Sequence, residues 1–166
     1  MKRITNGQFY VFTFKEGLLS SIAHDLRLSL PQFEISFNGA DVDATFNLKS
    51  VVVDGAVANR EIDTAALSAA DLKKIKRTID REVLKTSQFS SARLSARLNA
   101  QSLTGTLHLH GRSHSIAGKL ETANGIAFGA VEIVPSNWGI KPYAALFGAL
   151  KLQDRVLIEF EVELPV

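Results

Sequence analysis

Four histidines, one tryptophan and one lysine–tyrosine loop are the side chains of this sequence with the most chemistry to offer. His108, His110 and His114 fall close together. Residues two apart on a strand share a face, so His108 and His110 are half of a zinc or copper site, with His114 approaching across a short connection. No Asp or Glu accompanies them. The competing reading is therefore a polar solvent face shared with Thr104 and Thr106, and no metal is expected. His110 carries its own conflict: alternation sets it opposite Leu107 and Leu109. If those leucines face an interior, His110 faces out, unless a bulge at Gly111 re-aims it or the leucines pack outside.

His24 shares a strand face with Leu26, Leu28 and Leu30. It either meets a ligand head group at one end of an apolar cavity or is a core histidine satisfied by a carbonyl or by Asp25. Asn137–Tyr143 holds the only tryptophan, Trp138, with Lys141 and Tyr143. Such rings and a cation suit a cavity mouth; alternatively Trp138 plugs one end and Lys141 is solvated. Ala144–Leu150 is a flap or a wall segment. The sequence holds no GxSxG, P-loop, GxGxxG or HExxH motif. His24 and Asp25, as strand neighbours, point to opposite faces and form no dyad. No catalytic residue and no cofactor are assigned.

The elements that position these groups alternate with period two, the mark of half-buried strands. Runs over Gln8–Lys15, His24–Leu30, Phe33–Phe37 and Val42–Val53 occupy the first half, the last ended by Asp54-Gly55. Ser91–Asn99, Leu103–His110, His114–Thr122, Gly125–Val134 and Asp154–Leu164 occupy the second. Asn124-Gly125 is the strongest hairpin signal. One segment departs: about 68–85 reads as an amphipathic helix, with Ser68 and Asp71 forming a capping box and Leu72, Ile75, Ile79 and Val83 one stripe. Its six basic and three acidic residues net +3. That surface is either a solvated face or a means of docking on an anionic membrane.

Many strands, one helix and no βαβ alternation predict an all-β antiparallel fold, an eight-stranded lipocalin-like barrel over a single domain, 1–166. The 166 residues are enough for one core. With no cysteine, disulfides, thiolate zinc and a cysteine nucleophile are excluded. The net charge of +2 is too mild and dispersed for a nucleic-acid partner. The basic start lacks a following apolar stretch, so the expected location is cytoplasmic as the chain stands, or periplasmic if a leader was removed.

Four segments together resemble the YceI-like family of polyisoprenoid-binding, lipocalin-like barrels. They are Leu19–Leu30 (LSSIAHDLRLSL), Asp71–Phe89 with its LKTSQF end, Leu103–Gly111 (LTGTLHLHG) and Asn137–Val156 (NWGIKPYAALFGALKLQDRV). The resemblance implies an elongated barrel around a long apolar tunnel and an isoprenoid or fatty-chain ligand. It also implies ligand contact for His24 and His110, which match recurrent family histidines.

The expected function is binding, transport or storage of a long-chain amphiphile. Leu26, Leu28, Leu30, Leu94, Ile158 and Phe160 would line the cavity. His24, His110, Trp138, Lys141 and Tyr143 would form the ligand-binding set. A second copy of the chain is a further candidate partner. Two other classes remain open: a metal-dependent or acid/base enzyme using the histidine cluster, and a ligand-free structural or stress protein whose barrel is filled by its ten phenylalanines.

Overall fold

The structure is a computed structural model that describes residues 1–18 and 23–166. Leu19–Ile22, the start of the LSSIAHDLRLSL segment, lies outside the described residues. The strands are β1 (Lys2–Ile4), β2 (Gly7–Glu16), β3 (Asp25–Ser29), β4 (Phe33–Asn38), β5 (Asp41–Asn47), β6 (Val52–Ala58) and β7 (Glu61–Asp63). Helix α1 (Ala69–Thr78) follows, and then β8 (Ser91–Asn99), β9 (Ser102–Leu109), β10 (Arg112–Ala123), β11 (Ile126–Ile133), β12 (Ala144–Ala145) and β13 (Leu150–Glu163).

All thirteen strands belong to one curled sheet, in the order β1-β4-β5-β8-β9-β10-β11-β13-β2-β3-β6-β7 with β12 beside β13. Every pairing among the described residues is antiparallel. The count exceeds the expected eight for local reasons. The run Val42–Val53 is cut by a 3-10 turn, Leu48–Ser50, with Asn47 accepting from the Lys49 amide. Asp54-Gly55 does not end it: Gly55 takes φ 150 inside β6, and the turn comes at Asn59-Arg60, φ 51 and 67. That turn adds β7. Thr5 and Asn6 separate β1 from β2, and β13 begins earlier than the alternation suggested.

The registers define two ends of the sheet. At one lie the β4–β5, β8–β9 and β10–β11 hairpins; Asn38 opposes Asp41, and Ala123 opposes Ile126. At the other lie the end of β2, the start of β3 and the start of β13, where Lys151 opposes Glu16 and Asp25 opposes Val57.

The concave face is predominantly apolar. Phe9 packs edge-on against Phe33 and Phe46 at 4.8 and 4.9 Å and stacks on Phe160 at 5.7 Å. Such pairs add about 1 kcal/mol each beyond their burial. The convex face carries the charges: Arg27 lies over the Tyr10 ring and 2.9 Å from Asp54, and Arg155 over Phe14 and 2.9 Å from Glu132.

Helix α1 starts as its residues dictate. The Ser68 side chain accepts from the Asp71 amide, and Asp71 accepts from the Ser68 amide. The helical segment is shorter than expected and changes character, because Ile79–Val83 is a π-helical turn. Thr86 then folds back on Asp80 through its amide and its hydroxyl, both at 2.9 Å. Leu72, Ile75 and Ile79 pack on Leu28, Val51 and Val53, which seats the helix on the sheet.

Candidate functional site

A cavity of about 740 Å³ fills the concave side of the sheet. This volume is within the range of small-molecule sites. Leu26, Leu28, Leu30, Leu94, Ile158 and Phe160 all lie on its wall. The phenylalanines do not fill it: Phe9, Phe46 and Phe160 stand on the wall, while Phe128 and Phe147 are exposed. The apolar wall runs from Gly39 and Thr122 at the hairpin end to His24, Tyr143, Leu150 and Lys151 at the other. Helix α1 closes part of that second end with Lys74, Ile75 and Thr78, followed by Ile79 in the π turn.

This second end is the polar mouth. His24 precedes β3, is exposed, and stands on the cavity wall. Tyr143 is 37% exposed on the same rim. Lys74 and Lys151 supply the cations; Lys151 reaches Glu16 at 3.2 Å. Below the rim, Thr13 continues the inward face of Phe9 and Val11. It is 9% exposed, and its Oγ1 is buried with no partner among the described residues. Asp71, near Lys74 and His24, lies below the usual carboxylate range. The Ser68 backbone hydrogen bond is the main cause, and the two neighbouring basic groups contribute less.

The other members of the expected ligand set are placed elsewhere. His110 is not on the cavity wall. It leaves β9 altogether: His110 and Gly111 form the β9–β10 turn with φ 53 and 73, while Leu107 and Leu109 face the cavity. The two-residue turn with both φ positive is the hairpin geometry that matches strand twist. The ring packs on Phe89 at 4.3 Å, and Nε2 is buried without a partner among the described residues. Burial lowers the His110 pKa from its ordinary value; the neighbouring Trp138 backbone opposes this, and the nearby cations Lys85 and Arg112 add to it.

Trp138 is 1% exposed and absent from the cavity wall. It closes a 3-10 turn, Pro135–Trp138, and its Nε1 donates to the Leu107 carbonyl at 2.9 Å. It is a core plug rather than a rim residue, since the hydrogen bond lets the indole be buried whole. Lys141 is exposed and off the wall.

The three clustered histidines do not converge. His108 opposes Ser113, and its Nδ1 lies 2.6 Å from the Ser113 hydroxyl. His114 opposes Leu107 and so belongs to the other face, with its ring 5.3 Å from Trp138. His110 is in the turn. Among the described residues no group of three His, Cys, Asp or Glu side chains is arranged to hold a metal.

The family model for the YceI-like domain matches residues 12–164. The chain belongs to the YceI-like family. Its fold is shared by solved structures at 12% sequence identity. One is a polyisoprenoid binding domain from Saccharophagus degradans implicated in plant cell wall breakdown (TM-score 0.60, covering 98% of this chain and 96% of that one). Another is BcnA from Burkholderia cenocepacia (TM-score 0.61, covering 94% of each). No curated protein matches the sequence.

Thr13, Lys74 and Lys151 are wall residues of this YceI-like chain that the sequence reading did not name. Thr13 was legible, because period two from Phe9 and Val11 points it inward. Lys74 sits beside the apolar stripe, and with Thr78 it forms the edge of the helix nearest the cavity; the stripe alone marks only the packed face. Lys151 carries no periodic signal. The β2–β13 register shifts between Leu152 and Val156, and Leu150, Lys151 and Leu152 all reach the wall. A bulge of this kind re-aims side chains that alternation would alternate.

Proposed function

We propose that this YceI-like protein binds, and thereby carries or stores, one long-chain amphiphile, isoprenoid or fatty-acid-like, as a single domain over 1–166. The observation that carries this reading is the 740 Å³ cavity with an apolar wall and a polar rim at one end. The hydrocarbon lies along Leu26, Leu28, Leu94 and Phe160. The head group meets His24, Tyr143, Lys74 and Lys151 at the mouth, with Thr13 offering one hydroxyl below it. Ten buried CH₂ groups contribute about 8 kcal/mol before ordering costs, and micromolar affinity corresponds to about the same figure. Apolar burial therefore supplies the larger part of the affinity, with the rim contacts and any longer chain offsetting the ordering cost, and the reading includes no catalytic step.

The enclosing scaffold is read as an eight-stranded lipocalin-like barrel. Its course takes β1 and β2 as one interrupted strand, joined to β4 at one side and β13 at the other, with β5, β8, β9, β10 and β11 between. The pair β6–β7 and β3 extend from it. The polyisoprenoid binding domain from Saccharophagus degradans, which shares the fold, supports an isoprenoid-like occupant.

The test is organic-solvent extraction of the purified protein, followed by titration of the stripped chain with a fluorescent fatty-chain probe. Release of a hydrocarbon-chain amphiphile, or saturable micromolar probe binding at one site per chain, is the expected result. No released lipid together with no probe binding would refute the reading.

A further inference from the structure

The β2–β13 ladder ends at Glu16 and Lys151, but both segments continue past it side by side. Gly17 lies so close to the opposing backbone that a Cβ there would sit 2.7 Å from the Ala149 carbonyl oxygen. The two segments therefore form one projecting tip. Two of its apolar side chains face solvent: Leu18 is 91% exposed and Phe147 wholly so. Away from the two termini, these are the most exposed large apolar residues among the described residues. Phe147 also takes φ 56, a left-handed conformation that an aromatic residue rarely adopts. It bears that strain without gaining any packing inside the chain.

The tip stands on the rim of the cavity, since Leu150, Lys151 and Leu152 immediately beyond it are wall residues. The charge around it is basic. Lys74 and Lys141 make no ion pair among the described residues, and Lys15 Nζ lies against the Ala23 carbonyl at 3.4 Å. Of the acidic groups at this end, Glu16 is paired with Lys151, while Asp25 accepts from the Lys15 amide at 2.8 Å and Asp71 from Ser68; Glu61, beside the β6–β7 turn, makes no ion pair among the described residues. Exposed apolar side chains with lysines on the same end of the molecule match an anionic bilayer, where apolar groups enter the interface and lysines meet lipid phosphates.

We propose that the mouth end of the molecule docks on an anionic lipid bilayer through Leu18 and Phe147, with the surrounding lysines against the head groups. Docking there sets the cavity entrance against the membrane, so that a water-insoluble chain passes between bilayer and cavity without crossing water. This use of docking rests on the lipid-binding reading above; the docking itself does not.

The experiment is co-sedimentation of the full chain with phosphatidylcholine vesicles, with and without phosphatidylglycerol, for the native protein and the Leu18→Ser/Phe147→Ser variant. Both substitutions are at exposed positions, and circular dichroism checks that the variant folds. The native chain is expected to pellet with the anionic vesicles and to be released by salt, at about fivefold in affinity for each basic side chain engaged. The variant is expected to bind about tenfold or more weakly. Its titration with a fluorescent fatty acid in vesicle-free solution should match the native one.

Equal pelleting of native and variant chains, or a native chain that stays in the supernatant, would overturn the proposal. So would loss of probe binding by the variant in solution, which would make the tip part of the pocket. A native dimer that the substitutions dissociate would overturn it too, by assigning the patch to a second copy. Vesicle binding by a native chain that takes up no probe supports docking and refutes the ligand reading, so the two fail separately.

Discussion

His110 and Thr13 hold the two buried polar atoms left without a partner among the described residues, and each leads to a measurable consequence. Burial holds the His110 pKa below its ordinary 6.5 in the folded state. The unfolded chain then binds more protons below about pH 6.5, so His110 stabilises the fold above that pH and loses its contribution as pH falls through the lowered value. Urea midpoints of the native protein should therefore decline on acidification. In His110→Asn, where asparagine tolerates the positive φ, the decline should be shallower; equal declines would show that His110 does not titrate as described. Thr13→Val keeps the volume and removes the unpaired hydroxyl, so the ligand-free protein should gain about 1 kcal/mol by denaturant titration. Residue roles were the least legible part of the sequence. His24 and Tyr143 reached the rim, although His24 precedes β3 instead of sharing the strand face of Leu26. His110 and Trp138 did not, because a two-residue turn and a 3-10 turn each redirect a side chain by local backbone geometry that no periodicity records.

Elements were read more securely, because each carries a repeated signal. The Ser68–Asp71 capping box and the Asn124-Gly125 turn stand where their residue types require. Ser68→Ala should cost about 1 kcal/mol, measured by chemical denaturation. The glycines inside strands mark close approaches that alternation cannot describe. A Cβ at Gly105 would lie 2.3 Å from the Ser95 carbonyl oxygen and 2.6 Å from Ala96 Cα. Gly105→Ala should therefore force β8 and β9 apart, at a cost on the order of 4 kcal/mol or more. What the sequence left hidden were interruptions: the turn at Leu48–Ser50, the gap at Thr5 and Asn6, and the register shift in β13. The first merged two strands into one run, the second left β1 unread, and the third hid the early start of β13.

At the scale of the molecule, the pattern of inward leucines, valines and phenylalanines was legible, and the curvature that wraps them around empty space was not. Period two tells which side chains share a face; it does not tell how far across the sheet the opposite face lies. The cavity is thus the feature on which the account turns, and Ala44 on its wall is the position to fill. In Ala44→Phe the ring takes the place of roughly four methylenes of ligand at ~0.8 kcal/mol each, which lowers affinity by about a hundredfold. The head-group residues at the mouth are untouched. The most direct measurement is native mass spectrometry of the solvent-stripped native chain and the Ala44→Phe variant, each incubated with the same mixture of fatty and isoprenoid chains. The account predicts one retained long-chain adduct per native polypeptide and little or none on the variant. A native chain that keeps its bare polypeptide mass, or a variant that retains the adduct equally, would contradict it.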